Sequence, residues 1–298
     1  MVELSNINEK SVIVVAGPTA SGKSDLAIDI ALRYNGEIVN ADSMQVYAGT
    51  PIISAAPSEK DKSLIPHHLY EIYHPSKNGT VVDWLKLATA TIKDIWARGK
   101  VPVVVGGTGM YIDNLINGTT PIPEPTKEIR QKVQCMDNIY AWLQENDNKA
   151  AQMLNPTDST RVRRAAEIWL QTGKSIAEWY KEPMIKYLSE AEFRVIKIIP
   201  NAEELDARCY LRFDKMIEAG AIDEVRYLQS LNLPDNLPAM KMLGVPELLT
   251  FVRGESDLSE AVSLAKLHTR QYAKRQRTWF RNKLDAEHVL DKCFVVDS

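Results

Sequence analysis

Cysteine is scarce in this chain. There are three, Cys135, Cys209 and Cys293, set far apart and with no C-x-x-C pair among them. That pattern indicates neither a zinc site nor a disulfide framework, and it suits a reducing compartment. No apolar stretch approaches the roughly 20 residues that a membrane-spanning helix needs. The opening residues, Met1-Val2-Glu3-Leu4-Ser5-Asn6, lack a basic start and an apolar core, so they do not read as a signal peptide. The expectation is a cytoplasmic protein without membrane association, and nothing in the sequence demands more than a monomer. Charge of one sign is not in excess either, with a net charge of −3. Composition therefore announces no nucleic-acid partner, and cations for one would have to be gathered locally. Internal repeats and low-complexity tracts are absent. What remains is ordinary globular material, 298 residues with 45% hydrophobic and 25% charged, enough for a sizeable core and a second, smaller unit.

Against that plain background one segment stands out. Gly17-Pro18-Thr19-Ala20-Ser21-Gly22-Lys23-Ser24 fits the phosphate-loop pattern G-x-x-x-x-G-K-[ST]. It follows the apolar run Val12-Ile13-Val14-Val15-Ala16 and leads into Asp25 through Leu32, whose apolar spacing is helical. In a strand–loop–helix setting the glycines let the backbone wrap an anion. The N–H groups and the helix start then point at phosphate oxygens. Lys23 adds charge, and Ser24 offers a hydroxyl to Mg²⁺. The loop does not say which phosphate it holds, or whether that phosphate is transferred or discarded.

Three more apolar runs, Glu37 to Ala41, Val101 to Val105 and Val195 to Ile199, read as buried parallel strands, with helical patterns between the early ones. Alternating β and α elements predict a doubly wound α/β sheet, with ligands at the carboxyl ends of the strands. There the chain places the phosphate loop, Asp42-Ser43, and Gly106-Gly107-Thr108-Gly109. The three prolines of Pro121-Ile122-Pro123-Glu124-Pro125 break the pattern. Residues 118–192 then read as a helical insertion between two parts of one catalytic core, residues 1–117 and 193–298.

Two segments gather positive charge. From Ala261 to Lys283 there are seven Lys/Arg and no Asp or Glu. At helical spacing Lys266, Arg270, Lys274, Arg277 and Arg281 share one face, and Ala261, Leu264, Ala265, Tyr272 and Trp279 another. Like charges along one face repel, and without an acid on the same helix a bound polyanion is the favoured explanation. A smaller cluster, Arg161, Arg163 and Arg164, follows Asp158 or Ser159 as helix cap, with Val162, Ala165, Ala166 and Trp169 as the buried stripe. Positive charge at a helix start opposes the dipole, which an external phosphate would relieve, though pairing to nearby acids accounts for it equally well.

Asp42 ends a predicted strand beside the phosphate loop. A carboxylate there can hold Mg²⁺ through water or accept a proton from a nucleophile. A turn-forming aspartate is the plain alternative.

Taken together these residues resemble the tRNA dimethylallyltransferases, over nearly the whole chain. The resemblance rests on the phosphate loop, on Asp42-Ser43-Met44-Gln45-Val46-Tyr47, and on Pro66-His67-His68-Leu69, whose adjacent histidines read as structural. It continues in Val105-Gly106-Gly107-Thr108-Gly109-Met110-Tyr111, Arg161 through Glu167, and Thr269 through Gln276 with Thr278 to Arg281. It implies an α/β fold, a P-loop NTPase-like parallel sheet with a helical insertion domain. It implies a loop that holds the diphosphate of dimethylallyl diphosphate rather than ATP, through residues Gly17 to Ser24 and Arg212, with Mg²⁺ at Ser24. Asp42 matches the family's general base for the adenine N6 amine, and Thr108 and Arg130 match groups that orient the diphosphate and the catalytic centre. Ser43, Met44 and Gln45 match the segment holding a flipped-out adenine. Thr160, Arg161, Val162, Arg163 and Arg164, with Arg270, Lys274, Arg277 and Arg281, would track a tRNA anticodon stem-loop.

Two stretches depart from the pattern. Ile53-Ser54-Ala55-Ala56-Pro57 lacks a lysine the family commonly has, and Gly244-Val245-Pro246 replaces a tyrosine and a polar residue associated with tRNA recognition. The expectation from them is an active enzyme with shifted tRNA selection. A P-loop kinase of a small molecule, a non-catalytic RNA-binding paralogue, and prenyl transfer to free adenosine phosphates are the rival readings.

Overall fold

In the computed structural model of the chain, which describes residues 2–295, six strands form one parallel sheet. They are β1 (Ser11–Ala16), β2 (Gly36–Asn40), β3 (His67–His68), β4 (Val101–Gly106), β5 (Glu192–Ile198) and β6 (His288–Leu290), in spatial order β3-β2-β4-β1-β5-β6. The helices are α1 (Lys23–Arg33), α2 (Pro51–Ser54), α3 (Glu59–Leu64), α4 (Val81–Ala97), α5 (Gly109–Asn117), α6 (Lys127–Gln134) and α7 (Ile139–Asn146). They continue as α8 (Asn148–Met153), α9 (Ser159–Thr172), α10 (Ile176–Trp179), α11 (Ala202–Glu218), α12 (Ala221–Ser230), α13 (Val245–Val252) and α14 (Leu258–Lys283).

The central strands are buried on both faces, which is why their sequences are apolar without alternation. Side chains of β1 divide strictly by parity. Val12, Val14 and Ala16 enter one core with Trp84, Leu85 and Ile92 of α4, while Ile13 and Val15 enter the other with Leu26 and Ile30 of α1. Each such Val or Ile contributes about 1.5–3 kcal/mol of burial. The expected α/β sheet and its strands at 37–41, 101–105 and 195–199 are observed within a few residues. β3 and β6 had no signal in the sequence. They are two and three residues long, and β3 is a pair of histidines. His67 is fixed by its Nδ1 contact to Ile65 O at 2.8 Å, and His68 by its Nε2 contact to Glu37 at 2.7 Å.

Register sets the site. Ala16 lies opposite Gly106 on one side and Lys197 on the other, and Asn40 lies opposite Val105. Gly17, Asp42 and Gly107 therefore leave the sheet at one level, at its carboxyl edge. β1 sits between β4 and β5, the point where the connections diverge and ligands of such sheets bind.

The chain separates into two compact units, residues 1–116 with 187–298, and residues 117–186. The second holds α6 to α10 around its own core of Val133, Leu143, Ala150, Val162, Ala165 and Ile168. Its ends are tied by paired backbone bonds between Thr119 and Ile185, 3.0 and 2.8 Å. β5 begins at Glu192, paired with Ser11, earlier than the apolar run suggests because its first residues are polar and partly exposed.

Two charged groups are built into the first unit. The Glu37 carboxylate, 2% exposed, is held by Arg98, by Lys100 at 2.9 Å and by His68. These hydrogen bonds, Arg98 foremost, pull its pKa down to about 2. Lys197 of β5 is buried, and its Nζ donates to the carbonyls of Phe280 (3.2 Å) and Leu284 (2.6 Å) at the end of α14. A cation there complements the helix dipole.

Candidate active site

The phosphate loop joins β1 to α1 as the motif predicts. Gly22 has φ +84°, and a Cβ on it would lie 2.1 Å from the carbonyl oxygen of Phe294, so only glycine fits. The chain's last described residues back the loop: Phe294 N–H donates to Ser21 O at 3.0 Å, and Cys293 Sγ lies 3.8 Å from Ala20 O. From the other side α14 supplies Gln276, whose Oε1 accepts from Thr19 N–H at 2.8 Å and whose Nε2 donates to Gly107 O at 2.7 Å. Gln276 is thus a brace between two of the three site loops. The sequence gives no sign of that role, because it depends on a contact between residues 257 apart.

Lys23 is half-buried, its Nζ donating to Pro18 O at 3.4 Å. Burial lowers its pKa to about 8, while the Asp42 carboxylate acts to raise it and Arg212 to lower it. Arg212 reaches in from α11 and donates to the Thr19 hydroxyl, and Arg208 Nε donates to Ala20 O at 2.9 Å. Burial also pulls the Arg212 pKa down, with Asp42 opposing. Two half-buried cations and a carboxylate therefore feel one another across the loop.

Asp42 is set by its own turn. Its N–H donates to Asn40 Oδ1 at 2.8 Å, and its Oδ1 accepts from Met44 N–H at 3.0 Å. Oδ2 remains on the side of Gly107, 3.4 Å from where a Cβ there would lie. The Thr108 hydroxyl accepts from Ser43 N–H at 2.9 Å and donates to Ser43 Oγ at 3.2 Å, joining the loops after β2 and β4. Gln45 is committed to backbone, donating to Ser54 O (3.1 Å) and Ala55 O (2.6 Å).

Two clefts meet at Arg212. One is the cationic cleft of the phosphate loop, lined by Gly22, Lys23, Ser24, Arg208 and Arg212 together with apolar Ile28, Ile38 and Val105. The other is mixed, with Phe213, Met216 and Met242 beside Asp42, Arg275 and Tyr272. Ser24 shares the cationic cleft with Asp25 and Asp61, whose mutual repulsion adds to burial in raising the Asp25 pKa. Among the described residues no group of three or more His, Cys, Asp or Glu is placed to hold a metal alone. One hydroxyl and one or two carboxylates fit instead an ion of the Mg²⁺ type, which keeps several waters and takes oxygens from a bound diphosphate.

The other predicted residues divide. In the second unit Arg130 pairs with Glu124 at 2.6 Å, and Arg164 lies near Glu167 (3.7 Å) and Glu124 (4.0 Å). Asp158 caps α9 through Arg161 N–H and lies 3.5 Å from the Arg161 guanidinium. Thr160, Arg161 and Arg163 are exposed, but Val162 is turned into the core and offers no side chain to a partner. On α14 the lack of acidic partners is corrected. Lys266 pairs with Asp214 at 2.6 Å and Arg270 with Asp206 at 2.9 Å, both carboxylates coming from α11, and Arg277 donates to Pro200 O. A scan along one helix cannot see acids supplied by its neighbour. Lys274 and Arg281 are exposed and have no such partner among the described residues. Leu264, expected inside, is 43% exposed, and Thr269, Ala273, Gln276 and Phe280 carry the buried face instead. Val245 is fully buried and Pro246 sits in the first turn of α13, where a helix has no use for its N–H.

A parallel sheet with a phosphate loop at its switch point, braced by arginines and facing a carboxylate, defines an enzyme of the P-loop NTPase-like α/β class. Within that class, the model of the IPP transferase family matches residues 45–283, and the chain belongs to that family. It is 43% identical over 280 residues to the tRNA dimethylallyltransferase of Zymomonas mobilis, covering 93% of this chain and 90% of the relative. It is 41% identical over 291 residues to that of Rickettsia felis, covering 96% and 94%. Among solved structures it is similar to the tRNA isopentenylpyrophosphate transferase of Bacillus halodurans, with TM-score 0.69, 32% identity and coverage of 95% and 90%. A eukaryotic dimethylallyltransferase captured acting on tRNA gives TM-score 0.80 at 32% identity, covering 91% of this chain and 70% of that one.

Proposed function

We propose that this chain transfers the dimethylallyl group of dimethylallyl diphosphate to N6 of the adenosine just 3′ of the anticodon in tRNA, releasing diphosphate. One observation supports this above others: a cleft on the phosphate loop, with Lys23, Arg208 and Arg212 in its wall, and a pocket that holds Asp42 beside Phe213, Met216 and Met242 share Arg212. A leaving diphosphate suits the first, and a five-carbon allyl unit with an incoming amine suits the second.

In this reading the N6 lone pair attacks the allylic carbon, the carbon–oxygen bond breaks, and the electron pair leaves on the diphosphate. Loop N–H groups, Lys23 and Arg212 stabilise that growing negative charge. Asp42 accepts the N6 proton, its Oδ1 already fixed by Met44 N–H and its Oδ2 free to turn to the amine. Thr108 keeps the Asp42-Ser43 turn in place through Ser43. Ser24, with Asp25 and Asp61 nearby, would hold Mg²⁺, which supplies charge neutralisation to the diphosphate when bound. In the first unit the tRNA is assigned to Lys274 and Arg281 of α14, and in the second unit Arg161 and Arg163 of α9 are its candidate contacts. The adenine is extruded toward Ser43, Met44 and Gln45, since a stacked base cannot present its amine to a cleft. A monomer working in the cytoplasm suffices for this reaction.

The test is turnover of purified protein with tRNA and dimethylallyl diphosphate, followed by mass spectrometry of the nucleosides. The N6-isopentenyl adduct is expected, and Asp42→Ala is expected to slow its formation by about 10²–10⁴-fold while sparing tRNA binding. Brisk ATP consumption with unaltered tRNA would sink the proposal in favour of a kinase.

A further inference from the structure

Helix α11 carries three cations on one stripe. Arg208, Arg212 and Lys215 follow one another at spacings of four and three, so they share a face, and all three line the cationic cleft with Leu211. The inner two are spoken for. Arg208 donates to Ala20 O, and Arg212 donates to Thr19 Oγ1. Lys215 is different: it is exposed, and its ammonium has no ion-pair or hydrogen-bond partner among the described residues. Two carboxylates close to it are already engaged, Asp214 by Lys266 at 2.6 Å and Glu71 by Lys62 at 3.5 Å, and Asp25 and Asp61 of the same cleft make no ion pair with it. Ala55-Ala56-Pro57 line this cleft and one adjoining it together with Lys215 and offer it no charge.

We propose that Lys215 is a positioning residue for the donor, the outermost cation of the α11 stripe, which draws in and holds the terminal phosphate of the diphosphate in the cleft it shares with the uncharged Ala56. The assignment rests on the proposed transfer reaction. Lys23 and Arg212 sit at the buried end, where charge develops as the allyl bond breaks. Lys215 sits at the open end, where its contact exists equally in the bound donor and in the transition state. An interaction made in both states lowers KM without raising kcat.

The experiment compares wild type, Lys215→Ala, Lys215→Arg and the double variant Lys215→Ala with Ala56→Lys. Dimethylallyl diphosphate and tRNA serve as substrates, and inorganic diphosphate serves as a binding probe. For Lys215→Ala, the KM for the donor and the Kd for diphosphate are expected to rise about 3–5-fold, the upper worth of one exposed charge contact. kcat, KM for tRNA and Tm are expected to change less than about twofold or about two degrees. The difference from wild type should shrink as salt rises. Lys215→Arg should restore most of the loss. So should Ala56→Lys in the double variant, since it returns a cation to the same cleft. A donor KM and diphosphate Kd within about twofold of wild type in Lys215→Ala would overturn the assignment, as would a loss shared by kcat, tRNA KM and Tm that neither rescue repairs. Wild-type protein that neither binds diphosphate nor modifies tRNA overturns the reaction itself, and this residue's role with it. A working wild type with an indifferent Lys215→Ala removes only Lys215.

Discussion

At the scale of single residues, the site depends on charges kept out of water. Lys23 is the clearest case, with a pKa lowered to about 8 by burial. The amine is a cation below that value and neutral above it, and an anionic diphosphate binds the cation. Donor affinity is therefore expected to fall on the alkaline side, by up to about tenfold per pH unit above 8. Measuring KM for the donor between neutral pH and roughly pH 10 checks it. In Lys23→Arg the break should vanish, because a guanidinium does not titrate there. Gln276 makes a second prediction at this scale. Gln276→Leu leaves Thr19 N–H and Gly107 O without their partners, each loss costing about 1–3 kcal/mol. Denaturant unfolding should register that cost, and donor KM should rise with it, because the loop and the turn after β4 lose their common support. A Gln276→Leu protein as stable as wild type and with the same donor KM would contradict this picture.

At the scale of elements, the sequence was a good guide wherever the signal is local. The phosphate loop, the central strands and the Asp158 cap of α9 each need only their own residues, and each lies where the pattern puts it. The carboxyl-edge position of Asp42 and Thr108 followed from strand ends alone. What failed to show was relational. The ridge on α14 looked free of acids because Asp206 and Asp214 lie on α11, and β3 and β6 are too short to have a period. At the departure Gly244-Val245-Pro246, Gly244 and Val245 are buried at the start of α13 while Pro246 stays exposed in its first turn, so the segment also serves packing. The corrected ridge separates two kinds of basic residue. Lys274→Ala with Arg281→Ala should weaken tRNA binding and flatten its salt dependence by about one unit of log–log slope per charge, at unchanged stability. Arg270→Ala removes the partner of Asp206 and should cost some stability as well, which thermal unfolding separates from RNA affinity. For β2, the Glu37 group sets acid tolerance. Its folded pKa is depressed, so its contribution is full above the ordinary carboxylate value of 4.5 and is lost as pH falls toward about 2. Glu37→Gln should lower stability at neutral pH by up to the ~3–5 kcal/mol seen when a buried pair loses one partner. It should also remove that stretch of the acid titration.

At the scale of the whole molecule, the chain's two compact units have separate cores. Residues 117–186, expressed alone, are expected to show a helical circular dichroism spectrum and cooperative melting, since their apolar cluster and the Thr119–Ile185 pairing lie entirely within the segment. A fragment that stays unfolded at all temperatures would show that this core needs the rest of the chain. Net charge of −3 says nothing of an RNA partner, and the free cations of α9 and α14 show why: a polyanion is met by where charges stand, not by their sum.

The phosphate loop precedes two of its supports by more than 250 residues. Thr19 waits for Gln276, 257 positions later, and Ala20 for Cys293, 273 positions later. A ribosome must release the chain through Cys293 before the loop has both of these supports. A stop placed just before Cys293 should leave a protein that keeps most of its sheet and helices yet grips the donor poorly.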